Sequence, residues 1–455
     1  MDYIKFYLNL FFIKTLNEIL KLFNYNATSL SGKITLKLNK NFLKTAQHFV
    51  KNGIINITGT NGKTTTSNLI SDILKTDNKR IVSNFLGANM LNGIATAIGK
   101  DLPFAQKADY FVLECDEAYL TKLYDEMQAQ FLLVTNLFRD QLDRYGELNS
   151  TYKKIEEAIN KNKKLKLFLN ADDPMVAKLG FNKENEVIYF GFKDIVLKNN
   201  QNEKNMSPKE AINCTCGSEY KYSKTFYSHL GHYYCPNCNN KRPYVKYEAE
   251  CKIDDSQILI NINDKNFISN LKGTYNAYNL LGAICLCLEL NIKESTIQKA
   301  IDNYNAVFGR NEKIKINDTN VNINLIKNPT GASEVLNCIK DKKDTKLLLI
   351  LNDNYADGRD VSWIWDTNFE LISNFKNDIY VSGKRAYDMA LRLKYANIDT
   401  KLLHIEPNIK KSLKLSTRNC GNSYELNILP TYTALLELKK LHNWHYPIFV
   451  LHFRM

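Results

Sequence analysis

Short apolar runs recur along the chain and alternate with stretches of helical spacing. Ile54, Ile55 and Ile57 form the first run, and a helical pattern follows over residues 67–75. Arg80–Ser83 reads as a short strand, Asp109–Glu114 (DYFVLE) as a buried strand ending in an acid, and Phe131–Asn136 (FLLVTN) as another. Tyr152–Asn160 is helical, and Lys166–Asn170 is strand-like before the turn Ala171-Asp172-Asp173-Pro174. Strands alternating with helices predict a parallel, doubly wound sheet with ligands at the C-terminal ends of its strands. Residues 194–210 are polar and read as a loop or linker, Tyr244–Asn263 alternates like antiparallel strands, and Lys272–Leu290 is a helix opening on a Gly-Thr turn. The pattern changes near Phe308–Lys313. From Leu347–Leu351 a second α/β unit is expected, with strands at Ile379–Ser382 and Lys401–Ile405. No internal repeat is visible.

The first apolar run leads into Gly59-Thr60-Asn61-Gly62-Lys63-Thr64-Thr65, ahead of the helical stretch. A strand, a glycine turn and a helix N-terminus in that order make a polyphosphate site, because backbone N–H groups and the helix dipole converge there. Lys63 can reach β- and γ-phosphate oxygens, and the Thr64 hydroxyl can ligate Mg²⁺. The usual P-loop has its first glycine where Ile57 stands, so Gly59 serves the turn instead. The loop predicts nucleoside triphosphate binding through Gly59, Thr60, Asn61, Gly62, Lys63, Thr64 and Thr65.

A chain of 455 residues exceeds one core and implies two or three domains. Its 44% hydrophobic and 24% charged content is that of a globular protein and excludes a disordered chain. The net charge of +13 comes from lysines spread along the chain. A solvated surface biased toward Lys, Asn and Ile is the usual explanation, with weak attraction to an anionic membrane face or a phosphorylated substrate as the functional alternative. With no aromatic-and-basic array, nucleic acid is not an expected partner. The first 23 residues are apolar but interrupted by Lys5, Asn9, Lys14, Asn17 and Glu18, short of the ~18 clean apolar residues of a span. They lack the features of a secretory signal. An amphipathic helix packing on the body is the favoured reading; peripheral membrane contact is the alternative. Ten cysteines without an export signal fit a reducing, cytoplasmic compartment. Cys235-Pro236-Asn237-Cys238 is a C-x₂-C knuckle, and Cys214 and Cys216 lie about twenty residues earlier, a spacing suited to structural Zn²⁺. The first pair is C-x-C, so a bent loop, substitution by His229 or His232, or loss of the metal stay open.

Together these pieces resemble the Mur ligases, which make amide bonds through an acyl phosphate. The phosphate loop is similar to theirs; Glu114 matches their Mg²⁺-binding glutamate, partnered by Thr64. Thr135-Asn136 with Arg139-Asp140-Gln141-Leu142-Asp143 resembles their TN…DHLD segment, with Gln141 in place of His. Gly273–Asn279 is similar to their GxHNxxN helix, which implies an adenine contact for Asn276, and Gly309-Arg310-Asn311-Glu312 matches GRxE, which implies that Arg310 reaches the nucleotide. Three departures narrow the likeness. Only about fifty residues precede the phosphate loop, too few for a UDP-binding domain; the insert at 213–243 is zinc-ribbon-like; and the C-terminal unit carries Lys327–Gly331 and LNDNYADGRDVSWIWD (351–366). These resemble the MurT branch, synthetase subunits of lipid II isoglutaminyl synthase. That branch's usual first zinc cysteine falls here at Asn213.

The fold so implied is α/β: a Mur ligase-type central P-loop ATPase domain with a zinc-ribbon-like insert, plus a C-terminal Rossmann-like α/β domain. Its expected boundaries are a helical segment at 1–48, the central domain at 49–313 and the C-terminal domain at 314–455. The implied reaction is ATP-dependent amidation of the α-carboxylate of D-glutamate in the lipid II stem peptide, at the inner face of the cell membrane. The implied partner is a GatD-like glutaminase supplying ammonia, whose Cys-His pair is completed by an aspartate of the synthetase subunit. Asp360 is favoured for that role and Asp357 is second, since the Gly358 turn presents both on a loop. The alternatives are a stand-alone amino-acid ligase of Mur or folylpolyglutamate type, and a non-catalytic ATP-switched binding module. Lys63 and Glu114, with Asp360 and Asp357, are the expected catalytic residues.

Overall fold

The computed structural model describes residues 2–22, 29–84, 88–104, 106–139, 148–197, 210–254, 256–304, 310–316, 318–420 and 423–441, without the side chains of Asp2, Arg310, Asn311 and Asn419. The chain forms two compact units, Met1–Asn305 and Ala306–Met455.

In the first unit the apolar runs become strands β1 (Val50–Thr58), β2 (Ile81–Ser83), β3 (Ala108–Glu114), β4 (Phe131–Val134), β5 (Lys166–Asn170) and β6 (Val187–Leu197). A separate hairpin, β7 (Lys221–Tyr227) and β8 (Leu230–Tyr234), precedes β9 (Tyr247–Ile253), β10 (Ile258–Ile262) and β11 (Lys265–Ser269). Nine strands form one sheet in the order β11-β10-β9-β6-β5-β4-β1-β3-β2. From β2 to β9 every pairing is parallel; β9, β10 and β11 continue as an antiparallel edge. The central strands are buried on both faces, which is why they read as continuous apolar runs rather than alternating ones. Because β1 lies between β3 and β4, the chain leaves its carboxyl end at the point where strand order reverses, the place where sheets of this kind bind their ligands.

Ahead of the sheet run helices α1 (Asp2–Leu22), α2 (Leu30–Leu38) and α3 (Phe42–Ala46). Phe6, Leu10 and Ile13 of α1 are fully buried in the same core as β1, β3 and β4, so the helix packs on the body. None of the described helices is long and apolar enough to cross a membrane.

The second unit has a six-stranded sheet in the order β12-β13-β17-β14-β15-β16. Its strands are β12 (Arg310–Ile316), β13 (Thr319–Asn324), β14 (Thr345–Ile350), β15 (Ile379–Ser382), β16 (Leu403–Ile405) and β17 (Glu425–Pro430). All pairings are parallel except β12 with β13, and apolar cores cover both faces. The stretch 351–362 leaves the carboxyl end of β14, whose neighbours are β17 and β15.

Candidate active site

The phosphate loop connects β1 to helix α4 (Lys63–Thr76). Gly62 has φ +86°, and a Cβ there would overlap the Asn279 side chain; Gly59 has φ +119°, and a Cβ there would clash with the Thr135 hydroxyl. Both positions therefore need glycine. The segment after β4 clamps the loop. Asn136 carbonyl accepts from Thr60 N–H at 2.8 Å, its Oδ1 accepts from Asn61 N–H at 2.9 Å, and Thr135 Oγ1 donates to the Asn61 carbonyl at 2.8 Å. Thr66 N–H makes the first intrahelical bond, to the Gly62 carbonyl at 2.9 Å. The N–H groups ahead of it belong to the open end of α4, where the dipole is positive.

Lys63 is only 6% exposed. Its ammonium donates to the Gly59 carbonyl, to the Thr60 carbonyl at 3.3 Å and to Glu117 Oε1 at 2.9 Å. Burial alone would favour the neutral amine, but the charges of Glu117, Asp116 and Glu114 outweigh it and hold Lys63 above the usual lysine range. The loop thus presents a fixed cation.

Glu114 ends β3 beside the loop. Thr64 Oγ1 donates to its Oε2 at 2.7 Å and Asn89 Nδ2 to its Oε1 at 3.1 Å. Asn84 holds the backbone of Glu114 by a reciprocal pair at 2.8 and 2.7 Å. Two oxygens sharing an octahedral Mg²⁺ at ~2.1 Å each would stand ~3 Å apart. The Thr64–Glu114 spacing fits such a pair, so these residues suit the ion that the sequence implies.

Asn276 and Asn279 lie in the first turns of the helix Thr274–Glu289, and both are buried. Asn276 Nδ2 donates to the Lys272 carbonyl at 2.8 Å and its Oδ1 accepts from Asn279 Nδ2 at 3.1 Å; Asn279 Oδ1 accepts from Thr66 Oγ1 at 3.5 Å. Asn276 is thus joined to the phosphate loop through Asn279. Residues 59–65, Glu114 and Asn276 come together at the carboxyl ends of β1, β3 and β4. The Asp140–Asp143 part of the family-like segment, Gly309 and the Arg310 side chain lie outside what the structure describes. Glu117, Asn89, Asn84 and Asn279 belong to the site although the sequence did not single them out for it. The acids after Glu114, in Glu114-Cys115-Asp116-Glu117, were the available signal.

In the insert, Sγ atoms of Cys214, Cys216, Cys235 and Cys238 lie within 4.8 Å of one another, with Cys214 to Cys238 at 3.6 Å and Cys216 to Cys235 at 3.4 Å. A tetrahedral ion with Zn–S of ~2.3 Å needs sulfurs ~3.8 Å apart. The four therefore suit zinc, and the C-x-C loop bends enough at Gly217, φ +90°, for both of its thiols to join. Burial would raise the Cys214 thiol, but the Cys216 N–H and the Asn240 amide bring it down to about 6. Cys238 is drawn down by the Asn240 N–H, yet its three sulfur neighbours hold it up at about 12. Four thiols this close resist ionising together, a conflict that a divalent cation relieves. Neither histidine joins them. His229 is buried against Phe138 and Asp173, and His232 Nε2 bonds the Phe192 carbonyl at 2.7 Å.

In the second unit, Asp357 is 5% exposed and accepts from Thr433 N–H at 2.7 Å, from the Thr433 hydroxyl and from Asn354 N–H at 3.2 Å. Burial raises its carboxyl above the usual range, against these hydrogen bonds. Asp360 is half-buried and accepts from Ser362 N–H at 2.8 Å. Asp353 pairs with Arg385 at 3.2 Å.

Sequence comparison agrees with this organisation. The Mur ligase middle domain matches residues 57–287 and the MurT ligase C-terminal domain residues 325–435. The lipid II isoglutaminyl synthase (glutamine-hydrolyzing) subunit MurT of Staphylococcus aureus (strain COL) is 37% identical over 90% of this chain and 91% of its own length. Its counterpart from Streptococcus pneumoniae is 35% identical over 91% and 92%. A pseudomurein peptide ligase type C from Methanothermus fervidus shares the fold, with a TM-score of 0.68 at 21% identity over 90% of this chain and 84% of that one. The chain belongs to the MurT family of Mur ligase-type proteins.

Proposed function

We propose that this chain is the synthetase subunit of a lipid II isoglutaminyl synthase. In this reading it transfers the γ-phosphoryl group of ATP to the α-carboxylate of D-glutamate in the lipid II stem peptide, releasing ADP. Ammonia from a partner glutaminase then attacks the acyl carbon. A C–N bond forms, the C–O bond to phosphate breaks, inorganic phosphate leaves, and the nitrogen sheds a proton to give D-isoglutamine. Direct attack on the carboxylate fails because oxide would have to leave, so activation is the step the protein must supply.

The observation that carries this reading is the buried Lys63 ammonium beside the Thr64–Glu114 pair at an open helix end. Lys63 neutralises charge on the transferring group, and the N–H groups of the α4 terminus orient the phosphates. Thr64 and Glu114 would hold Mg²⁺, which would supply charge neutralisation to the phosphate oxygens. Asn276 lies at the adenine end of the site and Arg310 is assigned to the nucleotide from the chain's resemblance alone. The four cysteines hold a structural zinc, remote in role from the chemistry. Free ammonia is scarce at neutral pH, hence the glutaminase, to which we assign Asp360. Asp357 is already held by Thr433, which favours Asp360 of the two.

Assay of ATP consumption with lipid II and glutamine, with and without a glutaminase subunit, tests the proposal. Turnover that needs all three components is expected. Turnover driven by a free amino acid without the glutaminase would instead mark a stand-alone ligase, and calorimetry showing no uptake of ATP·Mg²⁺ would end the reading.

A further inference from the structure

Helix α1 carries two apolar faces, and the described residues cover only one. Phe6, Leu10 and Ile13 are fully buried; Phe6 stacks on Phe42 at 5.0 Å and on Phe49 at 4.7 Å between ring centres. At 100° per residue, Ile4, Leu8, Phe11, Ile19 and Leu22 fall on the opposite side in one continuous stripe. They are between 45% and 82% exposed. Exposed apolar residues scattered singly are ordinary. Five in register along a helix of 21 residues are not scattered.

The borders of the stripe set its partner. By the same geometry Lys5 lies along one border and Lys14 and Lys21 along the other, with exposed Tyr3 and Tyr7 beside them. Glu18 shares that second border and pairs with Lys21, while Lys14 donates to the Lys100 carbonyl, so Lys5 is the border lysine without such a tie among the described contacts. Residues 1–49 hold seven lysines against two acids, and α2 adds exposed Leu30 and Leu38. An apolar stripe edged by lysines and tyrosines matches the boundary of an anionic bilayer, where acyl chains meet phosphate headgroups. A second copy of this chain would meet the same lysines and repel them.

We propose that α1 fastens the protein to an anionic lipid surface, its outer stripe lying in the plane of the bilayer while its inner stripe stays in the core. The purpose of this contact rests on the proposed lipid-linked substrate; its geometry rests on the helix alone. Surface attachment would confine enzyme and substrate to one plane and raise their encounter rate.

Flotation of the full-length chain with vesicles tests it, using phosphatidylcholine alone and phosphatidylcholine mixed equally with phosphatidylglycerol. Binding is expected to the mixed vesicles only and to weaken as salt rises. The variant Leu8→Glu/Phe11→Glu, altered only at exposed positions, should bind ~10-fold less or weaker still, with an unchanged melting curve and unchanged ATP·Mg²⁺ affinity. Lys5→Glu/Lys21→Glu should erase the preference for the anionic lipid. Equal binding by wild type and the first variant would overturn the proposal. So would a wild-type oligomer in lipid-free buffer that this variant converts to monomer. Vesicle binding without lipid II-dependent ATP turnover would sink the enzymatic reading and leave the surface standing; the reverse result would do the opposite.

Discussion

The ammonium of Lys63 and the carboxylate of Glu117 are each 7% exposed at the side chain and 2.9 Å apart. Removing one member of a buried ion pair leaves the other uncompensated, at a cost of about 3–5 kcal/mol. Lys63→Ala should therefore do two separable things: abolish lipid II-dependent ATP turnover and lower the melting temperature. The double variant Lys63→Ala/Glu117→Gln should recover much of the stability and none of the turnover. Thermal melts alongside the ATP assay check this, and a double variant as unstable as the single one would remove Glu117 as the partner that matters. The lysine was legible in the sequence because strand, glycines, Lys and Thr fall in one local order. Glu117 and Asn279 were not, since their place at the loop depends on where β3 and the helix Thr274–Glu289 end in space. No spacing within a segment encodes such a meeting.

Elements followed the apolar pattern wherever burial was two-sided. Lys166–Asn170 and Ile379–Ser382 form strands with the bounds their runs suggest. The pattern misled where polar residues continue an element. The helix Leu148–Lys161 begins ahead of Tyr152, in a polar first turn, and β6 runs to Leu197, into residues that read as a linker. There an irregular register against β9, between Phe192 and Asp194, carries the strand on with Lys193, Asp194, Val196 and Leu197 exposed. The insert is a different case: its sequence suggested a metal site but left the ligands open, and the structure brings the Sγ atoms of Cys214, Cys216, Cys235 and Cys238 within 4.8 Å of one another. Purified chain should carry about one zinc per molecule, and Cys235→Ser should leave less than about half an equivalent. Metal analysis decides this. A further tie joins three elements: Glu289, at the end of its helix, accepts from Lys166 of β5, from Lys246 and from Tyr247 of β9. Burial would raise its carboxyl, but these donors outweigh burial and bring it down to about 2. A depressed acid stabilises the fold above its unfolded value, near 4.5, and loses that contribution as pH falls toward 2. Relative to Glu289→Gln, the wild type should be more stable by about 1 kcal/mol at neutral pH, allowing for solvent screening. The difference should vanish through the window from about 4.5 to about 2, which melting curves across pH would reveal.

On the scale of the whole molecule, the residues to which the proposal assigns chemistry divide between two compact units. The phosphate loop, Glu114 and Asn276 belong to the first; the aspartate-bearing stretch after β14 belongs to the second. Both sites follow one rule: each sits where the central strand of a parallel sheet ends between neighbours reached from opposite directions. That rule made the fold class readable from alternating elements, and the motifs' resemblance supplied the chemistry at each point. The sequence ranked Asp360 ahead of Asp357 in LNDNYADGRDVSWIWD, but the Gly358 turn presents both on one loop and so supplies no physical ground for parting them. Burial separates them. Asp357 ties the stretch to Thr433, at the start of the helix following β17, so Asp357→Asn should lower the melting temperature of the chain by loosening that tie. Asp360 accepts a single backbone bond within its own turn and is half-exposed, so Asp360→Asn should leave melting nearly unchanged. If Asp360 orients the histidine of a partner glutaminase, that same variant should cut glutamine hydrolysis by the complex by about 10²-fold or more. ATP·Mg²⁺ binding should be untouched, and turnover should return when ammonium salt replaces glutamine. Full glutaminase activity with Asp360→Asn would shift the role to another acid of the stretch, whereas loss that ammonium cannot rescue would place the defect in the synthetase itself.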